Sequence, residues 1–137
     1  MRAVLDPNVL ISALLSPGGS PAKVLRAWIA GHYELIVSPL LLAELERALA
    51  YPKLRKRIDA EDARAVVAWL SGSATMSADP DGPSPIPSPD PDDDYLITLA
   101  AAQAALLVSG DAHLLGLAGR LPVVTAAAFL AQLGLAE

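Results

Sequence analysis

The feature that most limits how this chain can fold is a repeated handover. Short apolar runs stop at a polar residue and pass directly into a helical segment. Val4-Leu5 stops at Asp6-Pro7, and Asn8 begins an apolar stretch reaching Leu15. The run 33–37 stops at Ser38-Pro39, a cap followed by a first-turn proline, and a helix over 40–50 follows. Leu106-Leu107-Val108-Ser109 stops at Gly110-Asp111, ahead of a short helix through Leu117. Val123-Val124 precedes a last helix over 126–133. Further helices are expected over 22–30 (entered through Ser20 as cap and Pro21, ended by Gly31), 53–57, 61–70 and 93–105, with an edge strand within 73–78. Strands alternating with helices indicate an α/β layer fold with a parallel sheet.

At 137 residues, 53% of them hydrophobic, the chain has the size and apolar content of one domain, expected to span 1–137. It has no cysteine, which excludes a disulfide framework and a thiolate metal site, and its two histidines are too few for a histidine-rich zinc site. The longest uncharged apolar stretch, 95–110, is 16 residues and contains Gln103 and Ser109. That is short of the roughly 18–20 a membrane span needs. An acid at position 6 comes too early for a signal peptide, so a cytoplasmic protein is expected. The net charge of −5 is local: Asp79, Asp81, Asp90, Asp92, Asp93 and Asp94 fall within 16 residues, and the other nine acids nearly balance ten bases. Six of the twelve prolines share that segment, which reads as a long loop.

In an open parallel sheet, ligands gather at the carboxyl ends of the strands. That rule selects Asp6 after the first strand, Ser38 and Glu44 after the second, and Asp111 after Ser109. Asp93 and Asp94 begin the helix leading into the 106–109 strand. Carboxylates converging without a Lys or Arg between them repel one another. Either some are protonated or a divalent cation neutralises them. Oxygen ligands alone favour magnesium or manganese, ions that serve phosphodiester hydrolysis. Each acid also has a plainer reading: Asp6, Asp93 and Asp94 as helix caps, and Glu44 as a helix-surface residue.

Val4-Leu5-Asp6-Pro7-Asn8-Val9-Leu10-Ile11-Ser12-Ala13-Leu14 resembles the opening motif of PIN-domain nucleases. The likeness continues through SPLLLAELERAL at 38–49, Tyr51-Pro52-Lys53-Leu54, DPDDDYL at 90–96, VSGDAHLL at 108–115, Pro122-Val123-Val124-Thr125 and Phe129-Leu130. It runs along the whole chain in order. Within that superfamily the chain most resembles the toxins of bacterial and archaeal type II toxin–antitoxin systems. The resemblance implies a PIN-like three-layer α/β/α fold with a central parallel sheet, and a Mg2+- or Mn2+-dependent endoribonuclease. Asp6, Glu44, Asp93 and Asp111 would be the catalytic acids, and Asp6, Asp93, Asp94 and Asp111 the metal ligands. Ala100, seven residues on, selects Asp93 as the third acid, and a one-residue slip selects Asp94. Asn8 and Ser109 would orient the Asp6 carboxylate. A small antitoxin partner and a homodimer are implied as well, with the surface around Trp28 and Trp69 as one candidate interface. Two residues depart from the family pattern: Pro7 replaces the usual threonine, and His113 stands where relatives often carry another acid.

RNA must also be held. Lys53, Arg55, Lys56 and Arg57 form the densest basic run, readable as a solvated helix face or as a rim that tracks phosphates. Two other functions fit parts of the sequence. A degenerate PIN domain that binds RNA or protein without cutting is kept open by Pro7 and His113. A phosphate-accepting receiver domain wants paired acids near the first strand and a lysine after a late one. Here the first strand ends in Asp6 alone and the last is followed by Thr125.

Overall fold

The computed structural model describes residues 1–82, 84, 86 and 94–135. Five strands form one all-parallel sheet: β1 (Arg2–Leu5), β2 (Glu34–Val37), β3 (Thr75–Met76), β4 (Leu106–Val108) and β5 (Val123–Val124). Their order is β3-β2-β1-β4-β5. β1 is central, with Val4 opposite Ile36 on one side and Leu107 on the other. The apolar runs read as strands are therefore strands buried on both faces, as a covered parallel sheet requires. Ala3, Val4, Leu5, Leu35, Ile36, Val37, Leu107 and Val108 are all buried.

The helices are α1 (Pro7–Leu15), α2 (Ser20–Ile29), α3 (Pro39–Leu49), α4 (Pro52–Arg55), α5 (Ala60–Ser73), α6 (Asp94–Ala102), α7 (Ala112–Leu115) and α8 (Ala126–Gln132). Capping explains most of the boundaries. Ser38 accepts the Leu41 amide, Asp59 the Asp62 amide and Thr125 the Ala128 amide. One expectation is corrected. Gly19, not Ser20, caps α2, because the extended Gly19 offers its carbonyl to the Lys23 amide and brings Ser20 into the first turn. Gly31 ends that helix with φ +86°, a left-handed conformation in which glycine avoids the Cβ clash.

Chain direction positions the site. From β1 the chain moves outward through β2 to β3, then returns past β1 to β4 and β5. Right-handed crossovers consequently place α1 to α5 on one face and α6 and α7 on the other. α1 and α7 leave neighbouring strands toward opposite faces, opening a crevice at the carboxyl ends of β1 and β4. Phe129 is fully buried, edge-on to Tyr33 at 4.8 Å between ring centroids, and the Tyr33 hydroxyl donates to the Val24 carbonyl at 2.9 Å. Burial without a charge partner pushes the Tyr33 phenol well above its usual value.

Candidate active site

Asp6 is the residue at which β1 becomes α1. Its amide extends the sheet by donating to the Val108 carbonyl at 2.9 Å, and its side chain caps α1 by accepting the Asn8 amide at 3.0 Å. The cap reading and the site reading are thus compatible. Asp6 is only 4% exposed. Its other oxygen accepts the hydroxyl of Ser109, also buried, at 2.9 Å. The same hydroxyl oxygen accepts the Asp111 amide at 3.0 Å, so Ser109 bridges the two acids across the β1–β4 crevice. Asp111 is half-buried and caps α7 by accepting the His113 amide at 2.7 Å.

This pair carries electrostatic strain. Burial raises the Asp6 carboxyl above its ordinary value; the bonds from Asn8 and Ser109 pull it down, and the Asp111 charge pushes it up again. The opposite edge of the sheet shows the contrast. There Arg2 pairs with Glu34 at 2.7 Å and also donates to the Gln103 carbonyl at 2.7 Å. No Lys or Arg pairs with Asp6 or Asp111 among the described residues; the nearest cation-capable group is the exposed His113 ring, its Nδ1 3.7 Å from Asp111. Hard oxygen donors, one of them desolvated and lacking a cation, suit a divalent metal ion.

The pair is not a complete ion cage. Among the described residues no three acids or histidines stand together closely enough to hold a metal. Asp93, expected as the third acid, lies outside the described residues. Asp94 opens α6, half-buried, and lines a cavity of about 250 Å3 with Leu40, Asp79, Tyr95 and Thr98. Glu44, half-buried on α3, accepts a hydrogen bond from the Tyr95 hydroxyl. Asn8 reaches Asp6 through its backbone N–H, while its side chain is exposed.

The model of the PIN domain family matches residues 2–113, a span that includes every acid named above. The chain belongs to the PIN-domain family. An uncharacterized protein, MJ1680, of Methanocaldococcus jannaschii is 30% identical to this PIN domain over 117 residues, covering 85% of this chain and 75% of its own. In fold, the PIN domain is similar to a chain from VapBC2 of Rickettsia felis, solved bound to a DNA fragment from their promoter. That match has a TM-score of 0.61 at 15% identity, covering 91% of this chain and 98% of that one. It is also similar to a PilT N-terminus domain protein, SSO1118, of Sulfolobus solfataricus P2, with a TM-score of 0.53 at 16% identity over 97% and 93% of the two chains.

Two residues of the PIN domain's acidic edge escape the strand-end reasoning. Asp79 lies just beyond β3 and accepts the Leu40 amide at 2.9 Å, capping α3 from a distance. Extending the strand-end rule to the weak edge strand would have found it. Tyr95 stands beside the acid triplet, and only the fold, which brings its hydroxyl to Glu44 of α3, reveals that bond. The basic run lies elsewhere. Arg57 donates to the Leu15 carbonyl at 3.2 Å, at the end of α1 remote from Asp6. At about 1.5 Å per residue that is about 13 Å along the helix axis. Arg55 is half-buried, whereas Lys53, Lys56 and Arg57 are exposed. Trp28 and Trp69 meet at 5.1 Å between ring centroids on the outer surface of α2 and α5, beside Ile29, which is 63% exposed. No helix among the described residues is long and apolar enough to cross a membrane.

Proposed function

We propose that this PIN domain is a Mg2+- or Mn2+-dependent endoribonuclease and the toxin of a toxin–antitoxin pair. One observation carries the reading: a buried aspartate bridged by a serine to a second aspartate, at the topological switch point of the sheet, with no Lys or Arg among the described residues to balance them. Membership of the family supports a hydrolase of phosphodiester bonds, and the VapBC2 likeness in fold makes an antitoxin partner the natural regulator.

Asp6 and Asp111 would hold the ion together with Asp93 or Asp94. When bound, the ion supplies charge neutralisation and a more acidic water. The chain's own contributions are positional. Ser109 and the Asn8 amide keep both Asp6 oxygens oriented, and the Tyr95 hydroxyl holds Glu44. In the net reaction a P–O bond forms to water oxygen and the P–O bond to the departing ribose oxygen breaks. A proton released by water ends on that departing oxygen, with Glu44 as the candidate carrier. Lys53 and Lys56 would attract the RNA backbone at a distance, and a copy of the chain docked on the Trp28–Trp69 surface would make the homodimer.

The test is cleavage of a mixed RNA pool with and without Mn2+ by wild type, Asp6→Asn and Asp93→Asn. Metal-dependent cutting lost in both variants is expected. Retained cutting by Asp93→Asn moves the third role to Asp94. Binding of RNA without any cleavage by wild type would replace the nuclease reading with that of a degenerate binding module.

A further inference from the structure

We propose that the cleft beside Asp111 is a pocket for one nucleobase of single-stranded RNA, seated next to the phosphate to be cut. The inference rests on the ribonuclease reading and deepens it. The cleft has a volume of about 310 Å3 and opens between the start of α1, the start of α2 and the Gly110-Asp111 turn. This is the lower end of the roughly 300–1,000 Å3 typical of small-ligand sites.

Its lining suits a base better than a phosphate. Asp111 is the one charged residue among the described residues that form the wall, so an anion placed there would be repelled. A neutral ring would not be. Val9, Pro21 and Ala126 supply apolar surface for the faces of a ring. Asn8 and Ser12 supply polar groups for its edge. They stand four residues apart on the exposed side of α1, the spacing at which helical neighbours act together. The Asn8 amide both donates and accepts, and so does the Ser12 hydroxyl. Neither side chain has a protein partner among the described residues, whereas the Asn8 backbone N–H is already committed to Asp6.

Single-stranded RNA presents unstacked bases that can be splayed out and read along their edges. No aromatic ring among the described residues lines this cleft, so edge hydrogen bonds rather than stacking would select the base. Because Asp111 belongs to both the cleft and the acidic pair, a base held here lies beside the candidate ion site.

The experiment titrates adenosine, guanosine, cytidine and uridine separately into the protein and follows backbone amide NMR signals. Nucleosides carry no phosphate, so the acidic pair and its ion are not probed. At least one nucleoside should produce saturable shifts concentrated at Ser12, Gly110 and Ala126. Affinity should fall at least tenfold in Ser12→Leu and Ala126→Leu, which fill the cleft. Ser12→Ala, which removes only the hydroxyl, should weaken binding several-fold and guards against misfolding of the larger replacements. On RNAs differing in the single base beside the cut, a preference of at least tenfold in wild type should flatten to within about threefold in Ser12→Leu. Silence of these amides toward all four nucleosides, or unchanged binding in the filled variants, would overturn the pocket even if RNA is cleaved. Nucleoside binding at these amides in a protein that cuts no RNA would uphold the pocket and sink the ribonuclease reading instead.

Discussion

Asp6 and Glu44 belong to the same acidic edge but are held by different means. Asp6 terminates a central strand. Its amide is in the sheet, its oxygens are bonded to Asn8 and Ser109, and it is almost wholly buried. Glu44 lies about one and a half turns into α3, half-buried, and is held by the hydroxyl of Tyr95 from another helix. A strand end over-determines a carboxylate, because the backbone that positions it is also the core of the fold. A helix surface leaves the carboxylate to one side-chain contact. Changes around Asp6 should therefore disturb stability and activity together, and changes around Glu44 should affect rate with little effect on folding.

The largest effect is expected at Asp6. Asp6→Asn should reduce metal-dependent cleavage by at least about 100-fold, since even the supporting partners of metal ligands cost about 10–100-fold. Its effect on stability should run the other way. The Asp6 carboxyl is raised in the folded state, so its ionised form opposes folding; this penalty is absent below the ordinary carboxylate value and develops as pH rises through the raised one. Metal-free Asp6→Asn should accordingly melt at a higher temperature than wild type near neutral pH, with the gap closing toward pH 3 in parallel melting curves. A gap independent of pH would contradict the electrostatic origin.

Ser109→Ala comes next. It removes the donor to Asp6 and leaves the half-buried Asp111 amide without its acceptor, costing about 1–3 kcal/mol in denaturant titration. A drop of about 10–100-fold in Mn2+ affinity should accompany it. Loss of affinity without loss of stability would break the claimed coupling of fold and site.

Tyr95→Phe tests the other half. It should lower kcat several-fold while leaving KM and the melting temperature nearly unchanged, because the phenol holds Glu44 and the ring can stay where it packs. A large fall in melting temperature would make Tyr95 a structural residue and erase the contrast. The smallest effect is expected from Lys53→Gln combined with Lys56→Gln. The dependence of log affinity for single-stranded RNA on log salt should become shallower by about 1.4, with kcat little altered.

The same contrast governs what the sequence could disclose. The apolar runs ending at Asp6, Ser38 and Ser109 were readable because a doubly covered parallel strand must be apolar throughout and must stop abruptly. Strand-end acids were readable for the same reason. Tyr95 was not, since nothing local says that α6 brings its hydroxyl to α3. Asp79 follows a two-residue edge strand too short to announce itself. The α2 cap lies one residue before the expected Ser20 because a Gly-Gly-Ser-Pro string offers two adjacent starts. Asn8 is expected beside Asp6, and the contact it makes there is through its backbone amide.

The central claim is that Asp6 and Asp111, bridged by Ser109, are the core of a divalent-cation site. Calorimetric titration of Mn2+ into wild type, Asp6→Asn and Asp111→Asn tests it without requiring a substrate. Saturable binding by wild type, lost or weakened at least about tenfold in both variants, is the predicted result. Equal Mn2+ binding by all three proteins would contradict the account.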